Sequence, residues 1–182
     1  MGTAGSPKDV HRLVDEHYVA LYHYAYRLSG SSVDAEDLTQ EAFCKAQANL
    51  GQLRDPARSR PWLFSILRNC YLHRLRSEKQ QPCVSLNGVG DLPGPAPDEL
   101  PDVDPERLQQ ALGELPEAFR TPIILFYFKE FSYRDIAEQM HLPLGTVMSR
   151  LARAKGFLRI RLTPTAPVST GATRPGRTTD GL

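Results

Sequence analysis

Residues 132–161 read SYRDIAEQMHLPLGTVMSRLARAKGFLRIR, and this stretch decides the fold. Ser132 followed three residues later by Asp135 is a capping-box start, and Ile136, Ala137 and Met140 then share one helical face. His141-Leu142-Pro143-Leu144-Gly145 ends the helix, because proline pushes the residue before it away from helical geometry. A second helix follows, with Val147, Leu151, Ala154 and Leu158 on one apolar stripe at steps of four, three and four. Thr146, Ser149, Arg150 and Arg153 gather on another face, and from Thr146 to Arg161 there are five basic residues and no acidic one. Two short helices around a tight turn are the layout of a helix-turn-helix whose second helix enters the major groove. Hydroxyls and guanidiniums placed there reach base edges and phosphates. A solvated basic helix that closes a bundle has the same pattern, and the motif alone leaves both readings open.

Upstream of this motif a helix is expected from Pro105 through Leu112, and another from Pro116 to about Lys129. Pro122 lies inside the latter and should kink it or shift its boundary. Residues 80–104 differ in character: five prolines, glycines and a run of acids cannot bury enough apolar surface to fold, so they read as an extended linker. Before the linker come three expected helices. The first runs from Pro7 to Leu28 on Val14, Tyr18, Leu21, Ala25 and Leu28, and is stopped at Ser29-Gly30. The second starts at Ser31 with Asp34, carries Ala35, Leu38, Ala42 and Ala46 or Asn49 on one face, and stops at Gly51. Gln52 to Arg60 reads as a polar, basic loop, and Pro61 suits the first turn of a third helix reaching about Arg76.

The expected fold is therefore all-α. Two small helical domains, residues 8–79 and 105–162, are joined by the Pro/Gly-rich acidic linker 80–104. Residues 1–7 and 163–182 are expected to be disordered.

The 182 residues carry a net charge of only +1, but the charge is segregated. Residues 54–79 hold seven basic and two acidic groups, whereas residues 81–105 hold five acidic and no basic ones. Blocks of opposite sign suggest two basic contact surfaces separated by an acidic tether. Cys44, Cys70 and Cys83 form no spaced pair, and no secretory signal or long apolar run is present, which points to a reduced cytoplasmic protein with no direct membrane contact. Met1 to Ser6 matches a short acylation pattern, but a pliable Gly/Ser start explains the residues as well.

Two further surfaces in the first domain carry chemistry. Asp37, Gln40 and Glu41 form an acidic edge on the second helix, which taken alone reads first as an ordinary solvated face. On the third helix Leu63, Ile66, Leu67 and Cys70 make a core stripe, while Trp62, Asn69, His73 and Arg76 make another. A tryptophan in line with an amide, an imidazole and a guanidinium suits stacking on bases and bonding to their edges, and Arg54, Arg58 and Arg60 lie beside it. Trp62 taken alone is more often a core residue.

The runs DAEDLTQEAFCKAQ, RPWLFSILRNCYLHRLR and LPEAFRTPIILFYFKEFSYRDIAEQMHLPLGTVMSRLARAKGFLR, in that order, resemble an extracytoplasmic-function (ECF) sigma factor of bacterial RNA polymerase. The resemblance spans roughly residues 8–162. It implies a sigma-2 domain, a flexible linker and a sigma-4 domain, with no catalytic residue, metal or cofactor. The implied partners are core polymerase (β′ clamp helices and β flap), promoter DNA and an anti-sigma factor. Asp37, Gln40 and Glu41 match the edge that docks on the clamp helices. Gln52 to Arg60, with Trp62, Asn69 and their neighbours, match the −10 reader. Thr146, Ser149, Arg150 and Arg153 match the −35 reader. Three residues depart from the family's pattern: Met148 stands where a basic residue is usual, Pro143 where a serine cap is usual, and the loop after Gly51 lacks an aromatic.

Two rival readings remain. A stand-alone helix-turn-helix regulator explains the second domain but leaves the Trp62 helix idle. An enzyme reading has only Cys70 and His73, one helical turn apart, which are too few ligands for zinc.

Overall fold

The computed structural model describes residues 7–78 and 104–163. The expected linker, both expected disordered ends and Cys83 fall largely or wholly outside them. Among the described residues there are seven α-helices and no strand: α1 (Pro7–Ser29), α2 (Ser32–Ala48), α3 (Ser59–Glu78), α4 (Pro105–Glu114), α5 (Glu117–Lys129), α6 (Tyr133–Met140) and α7 (Leu144–Leu162). No helix among them is long and apolar enough to cross a membrane.

Local signals place the helix starts. The Ser31 hydroxyl accepts from the Asp34 amide at 3.3 Å, and Asp104 accepts from the Glu106 amide at 3.2 Å. At α6 the full capping box forms: the Asp135 amide donates to the Ser132 hydroxyl at 3.2 Å, and the Ser132 amide donates to the Asp135 carboxylate at 3.1 Å.

The ends depart from expectation in two places. Helix α2 stops at Ala48, before Gly51, because Asn49 turns back and its side-chain amide donates to the Lys45 carbonyl at 2.8 Å. The chain beyond Asn49 is not an open loop. Two short 3-10 turns, Leu50–Gln52 and Pro56–Arg58, lead straight into α3 at Ser59, so Arg60 is already helical. Pro61 still sits in the first turn, where a missing N–H costs no intrahelical bond.

Pro122 neither stops α5 nor shifts its boundary; the helix runs through it. Proline cannot donate to the carbonyl four residues back, that of Ala118. The guanidinium of Arg150 on α7 approaches that carbonyl, with Nη1 at 3.4 Å.

Helices α1–α3, the first unit, and α4–α7, the second, lie on either side of residues 79–103 and share one continuous apolar core. Leu21, Ala25 and Leu28 of α1 pack with Ala35, Leu38, Ala42 and Ala46 of α2 and with Leu63, Leu67 and Cys70 of α3. In the second unit Val147, Leu151, Ala154 and Leu158 are all buried. Tyr18, expected in the core, is 39% exposed, its ring stacked between those of Tyr22 and Phe43.

The two units are packed on one another: α4 and α5 lie against α1, and α6 reaches α3. The Phe64 and Phe131 rings meet at 5.2 Å across the junction. Arginines supply most of its polar bonds. Arg120 of α5 donates to the Leu28 carbonyl at 2.8 Å and to the Tyr71 hydroxyl at 2.9 Å, while also gripping the Leu115 carbonyl at 2.8 Å. Arg68 pairs with Glu117 at 3.3 Å, and Arg27 donates to the Gln109 side chain at 3.1 Å.

Candidate nucleic-acid interface

The segment from Gln52 to Asn69 builds the first basic surface. Asp55 caps the second 3-10 turn through the Ala57 amide at 3.0 Å, which points the Arg54 and Arg58 side chains outward. Trp62, Ser65 and Asn69 follow on one side of α3 and line a cavity of about 520 Å³ together with Gln52, Arg54 and Arg58. Trp62 is half-buried, packed on the core along one edge and facing this cavity with the other. It is thus both a core residue and a lining residue.

The far wall of the cavity belongs to α6 and the turn after it: Asp135, Glu138, Gln139 and His141. Arg58 reaches across to Glu138 with Nη2 at 2.8 and 2.7 Å from its two carboxylate oxygens. Both Gln139 side-chain polar atoms are buried there without a hydrogen-bond partner. Two acids, Asp135 and Glu138, therefore stand opposite the arginines.

The remaining residues expected at this surface are spread more widely. Arg60 faces the junction: Nη2 donates to the Lys129 carbonyl at 2.6 Å, and the guanidinium lies 5.1 Å from the Phe131 ring. Its half-buried position follows from the helix starting at Ser59. His73 and Arg76 are exposed farther along α3, outside the cavity.

Lys129 is the most perturbed cation at the junction. It is buried, and no ion pair holds it among the described residues. Burial first, then the charges of Arg60 and Arg27, lower its pKa from 10.5 to about 8.

On α2 the acidic edge is exposed at Asp37 and Gln40 and half-buried at Glu41. Glu41 bonds Lys45 at 2.6 Å, which holds its carboxyl below the usual range. Arg74 of α3 bonds Asp34 at 2.8 Å and lies 3.5 Å from Asp37. Cys70 is buried, and burial pushes its thiol pKa up, the opposite of what a nucleophile needs.

The second basic surface is the outer side of α7. Ser149 and Arg153 are exposed, whereas Thr146 and Arg150 are half-buried, Arg150 being turned toward Ala118. The turn before the helix is made by His141 at φ 53°, a left-handed residue whose amide bonds back to the Ala137 and Glu138 carbonyls. The Leu142 amide adds a bond to the Ala137 carbonyl at 2.9 Å. These bonds close the turn between α6 and α7, and Leu144, Gly145, Met148 and Ser149 in the first turns of α7 are exposed.

Sequence reasoning missed Arg120, Arg74, Glu138 and Gln139. Arg120, Arg74 and Glu138 each work through a partner far along the chain, up to 92 residues away for Arg120, and Gln139 is buried by packing between distant elements, none of which local spacing reveals.

Comparison with known proteins matches residues 13–81 to Sigma-70 region 2 and residues 106–158 to Sigma-70, region 4. The ECF RNA polymerase sigma factor SigW of Bacillus subtilis is 30% identical over 162 residues, covering 82% of this chain and 87% of that protein. SigL, an ECF RNA polymerase sigma factor of Mycobacterium tuberculosis, is 34% identical over 153 residues, covering 82% of this chain and 86% of that one. Among solved structures, the sigma factor RpoE of Bartonella quintana, crystallised with the anti-sigma factor NepR, is 29% identical with a TM-score of 0.69. That match covers 87% of this chain and 99% of RpoE.

Proposed function

Since the chain belongs to the ECF sigma factors of bacterial RNA polymerase, we propose that α1–α3 carry its −10 reader and α4–α7 its −35 reader. The chain confers promoter choice on core polymerase and performs no reaction of its own. It works in the cytoplasm without touching the membrane, under an anti-sigma factor. The observation that carries the assignment is that regions 2 and 4, in order, coincide with the two helical units, each of which has one exposed basic surface.

Asp37, Gln40 and Glu41 dock on the β′ clamp helices, and the second unit meets the β flap. The cavity beside Trp62 receives a base flipped out of the −10 element: Trp62 stacks, Asn69 and Gln52 bond the base edge, and Arg54 and Arg58 take the flanking phosphates. Unstacking a base costs a few kcal/mol, which such a pocket returns. Ser149 and Arg153, flanked by Thr146 and Arg150, read duplex −35 DNA. Because Arg58 and the cavity are engaged by α6 in the closed chain, reading the −10 element requires the units to separate. An anti-sigma factor that holds the units together silences the chain, in keeping with the anti-sigma complex of the related RpoE.

The test is to combine the purified chain with core polymerase and sequence the transcripts begun in vitro. Discrete starts that share upstream elements are expected, with weak duplex binding by the chain alone. Tight, specific binding by the isolated chain at physiological salt, with no gain in initiation, would instead make it a stand-alone helix-turn-helix regulator.

A further inference from the structure

The outer side of α7 holds more than hydroxyls and guanidiniums. Leu144 is 43% exposed and Met148 is 51% exposed, and Ala152 next in the row is exposed as well. Steps of four residues put the three side chains in one row along the helix. The row occupies the first turns of α7, the end of a recognition helix that reaches base edges. Its neighbours on the outer side are Ser149 and Arg153, and no acid occurs between Thr146 and Arg161. The hydrophobic demand of the helix is already met on the adjoining stripe, about a quarter-turn round, by Val147, Leu151, Ala154 and Leu158, which are all buried.

We propose that Leu144, Met148 and Ala152 form an apolar ridge that selects thymine methyl groups in the −35 duplex, with Met148 as the specificity-determining residue. The inference rests on α7 being the −35 reader. The occupant is set by chemistry. A basic, acid-free surface attracts a polyanion, so the ridge is carried into a groove of DNA. In the major groove the C5-methyl of thymine is the one apolar substituent that projects among the donors and acceptors of the base edges. Against cytosine, adenine or guanine, the ridge would cover donors and acceptors without bonding them, at a cost in desolvation. Against thymine it buries methyl on methylene. Methionine suits the role because its unbranched, pliable stem follows the contour of the groove. A lysine at the same place would hold a phosphate and read no sequence.

The test uses holoenzyme, the chain bound to core polymerase, and a promoter identified from its transcripts. Each −35 thymine is replaced in turn by deoxyuridine, which removes the methyl and nothing else. One or two adjacent positions should lose about fourfold in binding per methyl removed. Met148→Ala holoenzyme should bind the natural promoter more weakly by a similar factor and show no further loss with deoxyuridine at one of those positions. At that position 5-methylcytosine should bind the native holoenzyme better than cytosine does.

Three results overturn the proposal. One is a −35 element that matters as a whole yet is insensitive to every deoxyuridine or lacks thymine under α7. Another is a Met148→Ala chain that loses polymerase affinity while keeping its thymine preference, which would give the ridge to a protein partner. The third is initiation indifferent to replacement of the whole −35 element, which would remove the −35 reading itself.

Discussion

Replacing Lys129 with methionine should make the protein more stable at neutral pH, although it deletes a charge from a protein rich in ion pairs. The native side chain is buried beside Arg27 and Arg60, and its pKa is lowered from 10.5 to about 8. At about 1.36 kcal/mol per pKa unit that difference amounts to about 3 kcal/mol. Solvent reaches part of the side chain, and screening brings the expected cost to about 1–2 kcal/mol. The direction with pH follows from proton binding. Between about pH 8 and pH 10.5 the unfolded chain holds the Lys129 proton and the folded chain does not, so native stability rises with pH there. Below pH 8 both states are protonated and the folded protein bears the full cost. Lys129→Met retains an unbranched stem and removes the charge, so it should gain about 1–2 kcal/mol at pH 7. The gap to the native chain should close as the pH is raised toward 10. Urea melts of both proteins at pH 7, 8, 9 and 10 measure it, the difference between them cancelling tyrosines and other lysines that titrate in the same range. The reasoning fails if the variant is less stable at pH 7, or if the gap stays constant with pH.

Arg120→Lys should cost about 2–3 kcal/mol in the same melts, because one ammonium cannot serve the Leu28, Gly113 and Leu115 carbonyls and the Tyr71 hydroxyl together; a loss below about 0.5 kcal/mol would leave that network without energetic weight. Changing Asp37, Gln40 and Glu41 together to alanine should shift stability by about 1 kcal/mol or less, since their ion pairs are exposed. Affinity for core polymerase should fall by about 2 kcal/mol or more, and an unchanged pull-down titration would refute the docking assignment. Asn69→Ala and Arg54→Ala should slow promoter opening and be largely rescued by a pre-melted −10 bubble, whereas Arg153→Ala, acting on duplex −35 DNA, should be rescued much less. Equal rescue in permanganate footprints would mean the two surfaces are misassigned.

What the sequence discloses and what it hides divide along physical lines. Helix starts are local chemistry, and Ser31, Asp104 and Ser132 form their caps within three residues. The stripe of Val147, Leu151, Ala154 and Leu158 is equally local, since one helix side has one neighbour to face. Arg60 and Tyr18 show the limit. Arg60 in isolation is a basic residue beside a surface expected to read DNA, yet the carbonyl of Lys129 and the Phe131 ring, about seventy residues later, turn it inward. Tyr18 falls on the helical repeat of α1, but the rings of Tyr22 and of Phe43 on α2 cover it only in part and leave it 39% exposed. His141 ends α6 in left-handed backbone, a device that the following proline signals only indirectly. The closed packing of the two units has no counterpart in residue spacing. It depends on arginines that bond carbonyls and carboxylates across gaps of 80 residues and more.

Glu138 is covalently attached to the surface it covers, and that changes what free DNA must compete against. A tethered ligand acts at an effective concentration of order millimolar, whereas a promoter in a cell is far more dilute. Each kcal/mol of closure also divides the apparent affinity of any partner that needs the separated form, about tenfold for every 1.4 kcal/mol. The Arg58–Glu138 pair is itself exposed, so the carboxylate biases the competition for Arg58 without deciding it alone. A partner that grips both units in their separated form takes Glu138 away from Arg58. The same arithmetic makes Glu138 a control point for leakiness: weakening it raises the share of molecules that sample DNA unaccompanied, without altering a single residue that reads it.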